Sequence, residues 1–265
     1  MELVAGIKMN KHFKAALIAV SLAMAGQAFA ATTWMVNTTA AASGSAVAAS
    51  GTAITAKATA WADTADTNPR TLEQQTFTSW PGLGIYNNDR CGIAGAAPDC
   101  DMKEGSSPEH AIDNSERYEM AMISFTGGPV NLTSANFSFS GADSDYTVLA
   151  YTGVVGGESL AGKTWGTLTG WTLIGNYPSS SAGDKAFANT IYSSFWLIGA
   201  YNPLGGSPNS TFSGTDSFKL ASVSGNLCLP GKPGCGGGNV PEPGSLVLLG
   251  IGLLGLLRMR KPIHR

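Results

Sequence analysis

Charge is scarce in this chain. Lys, Arg, Asp and Glu together make up 13% of its 265 residues, and histidine occurs three times. Two of those histidines, His12 and His264, sit in the terminal segments, so a Ser-His-Asp site would have to use His110. Neither a Gly-x-Ser-x-Gly elbow nor a His-Glu-x-x-His motif occurs. Helical periodicity is nearly absent between residues 31 and 225, which excludes a helical bundle. The charge that is present is unevenly spread. Residues 31–240 hold nine basic against sixteen acidic residues, a net charge of −7, whereas the whole chain carries −2. An acidic central region repels phosphate backbones, so nucleic acid is excluded as a partner. It remains compatible with cations and neutral glycans.

The basic residues gather at the two ends. Lys8, Lys11 and Lys14 precede an apolar stretch from Ala15 to Ala25, and Ala28-Phe29-Ala30 follows. That order reads as a secretory signal, a helix removed after Ala30. The apolar run is short of the roughly 20 residues a membrane span needs. At the other end, Val240-Pro241-Glu242-Pro243-Gly244 leads into an apolar block from Leu246 to Leu257, closed by Arg258, Arg260, Lys261 and Arg265. As a helix that block rises about 18 Å, so it spans only with flanking residues recruited and Arg258 snorkelling. The basic cluster stays cytoplasmic and everything before it lies outside.

Pro241, Glu242 and Pro243, then a Leu/Gly-rich helix, then an Arg/Lys cluster, resemble the PEP-CTERM sorting signal, which is also catalogued as the ice-binding protein C-terminal domain. The resemblance implies an exosortase as partner, a membrane-bound precursor held by the C-terminal transmembrane helix, and a host that makes extracellular polysaccharide. It carries no statement about ice. The domain layout expected is residues 1–30 as signal peptide, 31–231 as a surface domain, 232–239 as a Gly-rich linker and 240–265 as the sorting signal.

Between the ends, short runs of Thr, Val, Ile and aromatic residues alternate with Gly, Asn, Asp and Pro. Thr52 to Trp61, Arg117 to Thr126, Phe137 to Ser140, Tyr146 to Tyr151, Trp171 to Tyr177, Phe195 to Tyr201 and Ser217 to Val223 read as strands. Gly127-Gly128-Pro129, Gly141-Ala142-Asp143, Gly156-Gly157 and Gly205-Gly206 read as turns. The expected fold class is all-β, a single jelly-roll-like β-sandwich. Ala40 to Gly51 is nearly all Ala, Ser and Gly, either a flexible lead-in or a weak edge strand. Cys91, Cys100, Cys228 and Cys235 form an even set in an exported chain, which points to two disulfides. Three pairings are open, and the sequence-local one, Cys91 with Cys100 and Cys228 with Cys235, is favoured. The segments around Asp113-Asn114, Gly141 to Gly153 and Trp196 to Asn202 further resemble an exosortase-dependent surface protein family, which implies location and fold but no chemistry.

Three kinds of site are conceivable. Asp143-Ser144-Asp145 lies in a turn between two strands, where alternate carboxylates can converge on a hard cation such as Ca²⁺; the same residues could simply cap the turn. Asp99, Asp101, Glu104, Glu109, Asp113, Glu116 and Glu119 could supply the paired acids of glycoside hydrolysis, which must stand about 5–10 Å apart across a cleft. Six tryptophans could stack on sugar rings, with Trp80 and Trp165 the best loop candidates and Trp61 and Trp196 placed in the core. The reading favoured is a non-enzymatic, exported surface or matrix protein with possible Ca²⁺ at Asp143 and Asp145, lodged among exopolysaccharide. A glycan-binding module and a secreted hydrolase are the alternatives.

Overall fold

The computed structural model describes residues 31–36, 54–65, 67–79, 81–92, 96, 98–104, 110–206, 208, 210–212, 214–228 and 235. The expected signal helix, the lead-in Ala40 to Gly51 and the sorting helix lie outside the described residues. Among the described residues, no helix is long and apolar enough to cross a membrane.

Among the described residues, twelve strands carry the fold: β1 (Thr32–Met35), β2 (Thr55–Ala65), β3 (Thr71–Ser79), β4 (Leu83–Tyr86), β5 (Ile112–Asp113), β6 (Glu119–Thr126), β7 (Val130–Ser140), β8 (Tyr146–Tyr151), β9 (Trp171–Tyr177), β10 (Gly183–Ala186), β11 (Phe195–Ala200) and β12 (Ser217–Leu227). Two 3₁₀ turns, Trp165–Thr167 and Pro203–Gly205, are the helical elements among the described residues. The described part of the chain is all-β, and every pairing between these strands is antiparallel.

The path through the sheet is β10-β7-β12-β4-β3-β2-β6-β11-β8-β9. β3 is the corner. Its first part, Thr71 to Gln75, pairs with β2, and its second, Thr76 to Ser79, pairs with β4. The sheet therefore has a β12 half and a β11 half. β12 has β7 along one edge, and the short strands β5, β4 and β1 follow one another along its other edge.

Alternation in sequence explains which faces meet. In β2, Ala56, Ala58 and Ala60 are buried while Thr55 and Lys57 are exposed, the period of two that a half-buried strand requires. In β6, Ala121, Ile123 and Phe125 point the same way. Their partners in the main core are Trp34 and Val36 from the β1 segment, Leu132 and Phe137 from β7, Val148 from β8, Trp196 and Ile198 from β11, and Phe218, Leu220 and Val223 from β12. Both halves thus bury one face in a common core. Phe137 stacks on Phe218 with ring centroids 3.9 Å apart. Fully burying a large apolar side chain contributes roughly 1.5–3 kcal/mol, so the small alanines of β2 and β6 leave this work to the aromatics opposite.

The outer face of the β11 half is covered as well. The loop from Thr152 to Gly170 folds over it, seating Leu160 and Trp165 against Leu149, Tyr151, Leu197, Met120, Trp61 and Leu72. Leu72 donates to the Lys163 carbonyl at 2.7 Å, and Gly162 returns a bond to Leu72. Two glycines mark places where backbone must touch. A Cβ on Gly84 would fall 1.4 Å from the His110 carbonyl oxygen, and one on Gly199 would fall 2.3 Å from the Glu119 carbonyl oxygen.

Several elements differ from the expectation. β7 begins at Val130 instead of Phe137, and β12 runs on to Leu227. β1, β3, β4, β5 and β10 were not expected as strands. β3 (TLEQQTFTS) interrupts its alternation with two glutamines, because it changes from one half to the other there.

Candidate metal site

The turn between β7 and β8 carries Asp143 and Asp145, and the residue before β12 is Asp216. Backbone geometry brings them together. Ser217 donates to the Asp143 carbonyl at 3.0 Å, Gly141 donates to the Ser217 carbonyl at 2.8 Å, and Asp143 and Asp216 form an isolated parallel bridge. Gly141 permits this approach, since a Cβ there would meet Ser217 Oγ at 2.2 Å. One carboxylate oxygen from each of Asp143, Asp145 and Asp216 lies within 4.8 Å of the others.

Each carboxylate is oriented by donors. Asp216 Oδ1 accepts from the Asp145 backbone N–H and Oδ2 accepts from Asn114 Nδ2, both at 2.8 Å, while the Asp216 N–H returns a bond to Asn114 Oδ1. Asp145 Oδ1 accepts from the Ser179 N–H at 2.7 Å, and Asp143 Oδ1 from the Ser144 N–H at 3.0 Å. Asp216 is fully buried, Asp145 nearly so, and Asp143 is partly exposed. Burial first, then the neighbouring Asp145 and Asp143 charges, push the Asp216 carboxyl up to about 7. Burial and the Asp143 charge also raise Asp145. Hard oxygen donors of one sign, crowded and partly buried, match the ligand type of Ca²⁺ or Mg²⁺ and offer no nitrogen or sulfur for zinc or copper.

Sequence reading located two of the three acids. Asp216 escaped it because it stands 71 residues from Asp145. The available signal was a single Asp directly before a strand, and its partner Asn114 stands directly after β5.

The acidic stretch is also brought together, but inside the protein. Asp101, Glu104 and Glu119 surround the Asn87 side chain, with Asp113 beside them, and all three are almost completely buried. Asp99 is exposed and pairs with Arg70, Glu116 accepts from the Met102 N–H, and Glu109 lies outside the described residues. A hydrolase needs its two acids facing an open cleft; these face one another. His110 is half-exposed, its ring 4.8 Å from that of Tyr86 and its Nδ1 4.0 Å from Glu104 Oε1.

The tryptophan expectation needs correction at Trp165. It is buried at 2% exposure and donates through Nε1 to the Tyr118 carbonyl, because the loop that carries it folds back onto the β11 half. Trp34, Trp61, Trp171 and Trp196 are buried too, and Trp80 lies outside the described residues. Cys91 is joined to Cys100 and Cys228 to Cys235, with Cα atoms 5.1 and 5.4 Å apart.

Neither a curated protein nor a solved structure matches the chain. Residues 239–261 match the PEP-CTERM protein-sorting motif. That motif is the handle on which an exosortase acts at the membrane, and it directs its carrier to the cell surface or beyond. The chain carries a PEP-CTERM sorting signal.

Proposed function

We propose that this is a non-enzymatic surface or matrix protein, exported by a signal peptide cleaved after Ala30, released from its membrane-bound precursor by an exosortase, and lodged among exopolysaccharide. Its β domain is a jelly-roll-like sandwich stabilised by Ca²⁺ at Asp143, Asp145 and Asp216. The match of residues 239–261 to the PEP-CTERM sorting motif supports the location. The convergence of three carboxylates within 4.8 Å carries the calcium reading.

The cation would relieve the repulsion among the three aspartates and tie the β7–β8 turn to the start of β12. Ca²⁺ takes six to eight oxygens, so water and backbone carbonyls complete the shell around three side chains. Extracellular sites bind with Kd near 10⁻⁴ to 10⁻³ M. At about 10 mM Ca²⁺ the native state then gains roughly 1.4–2.7 kcal/mol. The test is a melting curve of the mature protein in Ca²⁺ and in EDTA. Calcium raises the Tm by several degrees, and Asp143→Asn with Asp216→Asn removes the rise. An unmoved wild-type curve, or an equal rise in the double variant, overturns the site. Intact-mass measurement on surface-extracted protein checks the sorting reading separately, since the product lacks Leu246 to Arg265.

A further inference from the structure

Val154 and Val155, just beyond β8, are 85% and 88% exposed, and among the described residues no other large apolar side chain is as bare. Single apolar residues scattered on a surface are ordinary. These two are adjacent, and the turn that carries them is tied down. The Gly157 N–H donates to the Val154 carbonyl at 3.0 Å, and Tyr151 Oη donates to the same oxygen at 2.7 Å. Glu158 Oε2 accepts from the Gly156 N–H at 2.7 Å, and Lys163 Nζ donates to the Gly157 carbonyl at 3.0 Å. A Cβ on Gly153 or Gly157 would meet Tyr151 Oη at 2.7 or 2.4 Å, so both glycines lie close against that side chain. The backbone is fixed while both valine side chains stand in solvent.

The turn leaves the same end of the sheet as the sorting tail. β12 finishes with Leu227 opposite Val130, and the Cys228 N–H donates to the Pro129 carbonyl. Val130 and Ser193 exchange two backbone bonds, at 3.0 and 3.1 Å. Ser193 Oγ in turn lies 2.7 Å from the carbonyl of Tyr151, the last residue of β8. Gly153 follows two residues later. The β7–β8 turn, with the three aspartates, is at the opposite end of both strands.

The tail cannot reach far from there. Cys235 is held to Cys228 with Cα atoms 5.4 Å apart. From Cys235 to Leu246, where the apolar block begins, eleven residue steps extend to at most about 40 Å. With the tail in a bilayer, the end of the domain that bears Val154 and Val155 is held within that distance of the lipid. We infer that these two valines are the point at which the tethered precursor touches the membrane surface, so that the domain stands on this end until the tail is removed. The inference rests on the membrane-bound precursor proposed above. Two valines alone make a weak contact, but a short tether makes it intramolecular, at an effective concentration in the millimolar range. Lys163 beside the turn carries an ammonium on a long apolar stem, the kind of side chain that reaches lipid phosphates from an apolar contact. Removal of the tail ends the tether and with it the contact.

The test is the full-length precursor in vesicles of phosphatidylcholine and phosphatidylglycerol whose acyl chains carry bromine, a quencher of tryptophan. Val155→Trp should lose emission there, after subtraction of the unsubstituted precursor, whereas Ala142→Trp, exposed in the β7–β8 turn at the opposite end, should keep it. Adding Val154→Asp to Val155→Trp should restore the emission, since a carboxylate resists transfer out of water. The Val155→Trp protein lacking Leu246 to Arg265, mixed with the same vesicles, should keep its emission too. Flotation with the vesicles reads the tether separately. A precursor that does not float overturns the membrane-bound reading and the contact with it. A precursor that floats while Val155→Trp is quenched no more than Ala142→Trp overturns the contact alone, as does quenching that survives Val154→Asp. Quenching of the tail-free protein overturns the dependence on the tether. Emission that bromine leaves unchanged but dilution in the bilayer alters would mean that a second copy covers the turn, and would overturn the lipid assignment.

Discussion

Trp34→Ala removes the anchor of a short core strand. β1 contributes four residues and one large side chain, and that side chain has no exposed surface. Its ring meets Phe125 edge-on at 4.9 Å, and its Nε1 donates to the Ile54 carbonyl at 3.1 Å. Truncating a buried tryptophan to alanine costs about 3–5 kcal/mol, and the whole domain is held by about 5–15 kcal/mol. For a domain of this size each kcal/mol shifts the Tm by about 2–4 °C, so a central value near 4 kcal/mol lowers it by about 8–16 °C. Calorimetry on the mature protein reads this directly, and urea unfolding should show a lower midpoint with the m-value unchanged. Trp34→Phe, which keeps a ring against Phe125, should recover more than half of the loss. A shift below about 3 °C for the alanine variant would mean that β1 adds nothing to the core, and the burial argument would be wrong.

Gly199→Ala drives a methyl group into Met120 and the Glu119 carbonyl at 2.2–2.3 Å and should destabilise by about 3 kcal/mol in urea titration. Replacing Cys91 and Cys100 together by Ala opens a loop of sequence separation 9, which should lower stability by about 2.5 kcal/mol with the sheet's circular dichroism retained. The pH dependence follows from Asp113, pushed up to about 7, and from Glu119, held well above the ordinary carboxylate range by burial and the Asp113 and Glu104 charges. The folded state holds protons that the unfolded chain has released, so stability falls as pH rises from about 4 through about 7 and beyond. Urea midpoints should be higher at pH 5 than at pH 8, and the opposite order would refute the assignment.

The all-β class was legible because period-two alternation survives wherever one face is buried and the other wet. Ala56, Ala58 and Ala60 in β2 and Ala121, Ile123 and Phe125 in β6 show it plainly. β8 shows it least, since all six of its residues are buried; its apolar run gave its existence but not its two-sided packing. β3 was invisible because a corner strand exchanges its buried face midway. Trp165 was misplaced because sequence marks a loop without saying whether the loop turns outward or lies down on a sheet. The candidate metal site was half legible: Asp143 and Asp145 are near neighbours, whereas Asp216 and Asn114 reach them only through pairings across the fold. The acids of the Asn87 cluster stood out as a stretch, but their burial around that amide could not be read, since acids spaced along a polar stretch look like a solvated surface.

The position of β12 sets an order of events. A chain that leaves the cell N-terminus first presents β1 at the outset and β12 last, yet β1, β4, β5 and β7 all take β12 as a partner. Strands β2, β6, β8, β9 and β11 can assemble as soon as residue 200 has emerged, because their partners are then complete. The other half must wait with its apolar face open. Contacts of such long sequence separation close slowly and leave the chain exposed to aggregation meanwhile. The last strand ends at Leu227, twelve residues before the sorting motif begins at 239. Completion of the fold and arrival of the processing signal at the membrane are therefore nearly simultaneous, and a chain cut short before β12 forfeits both.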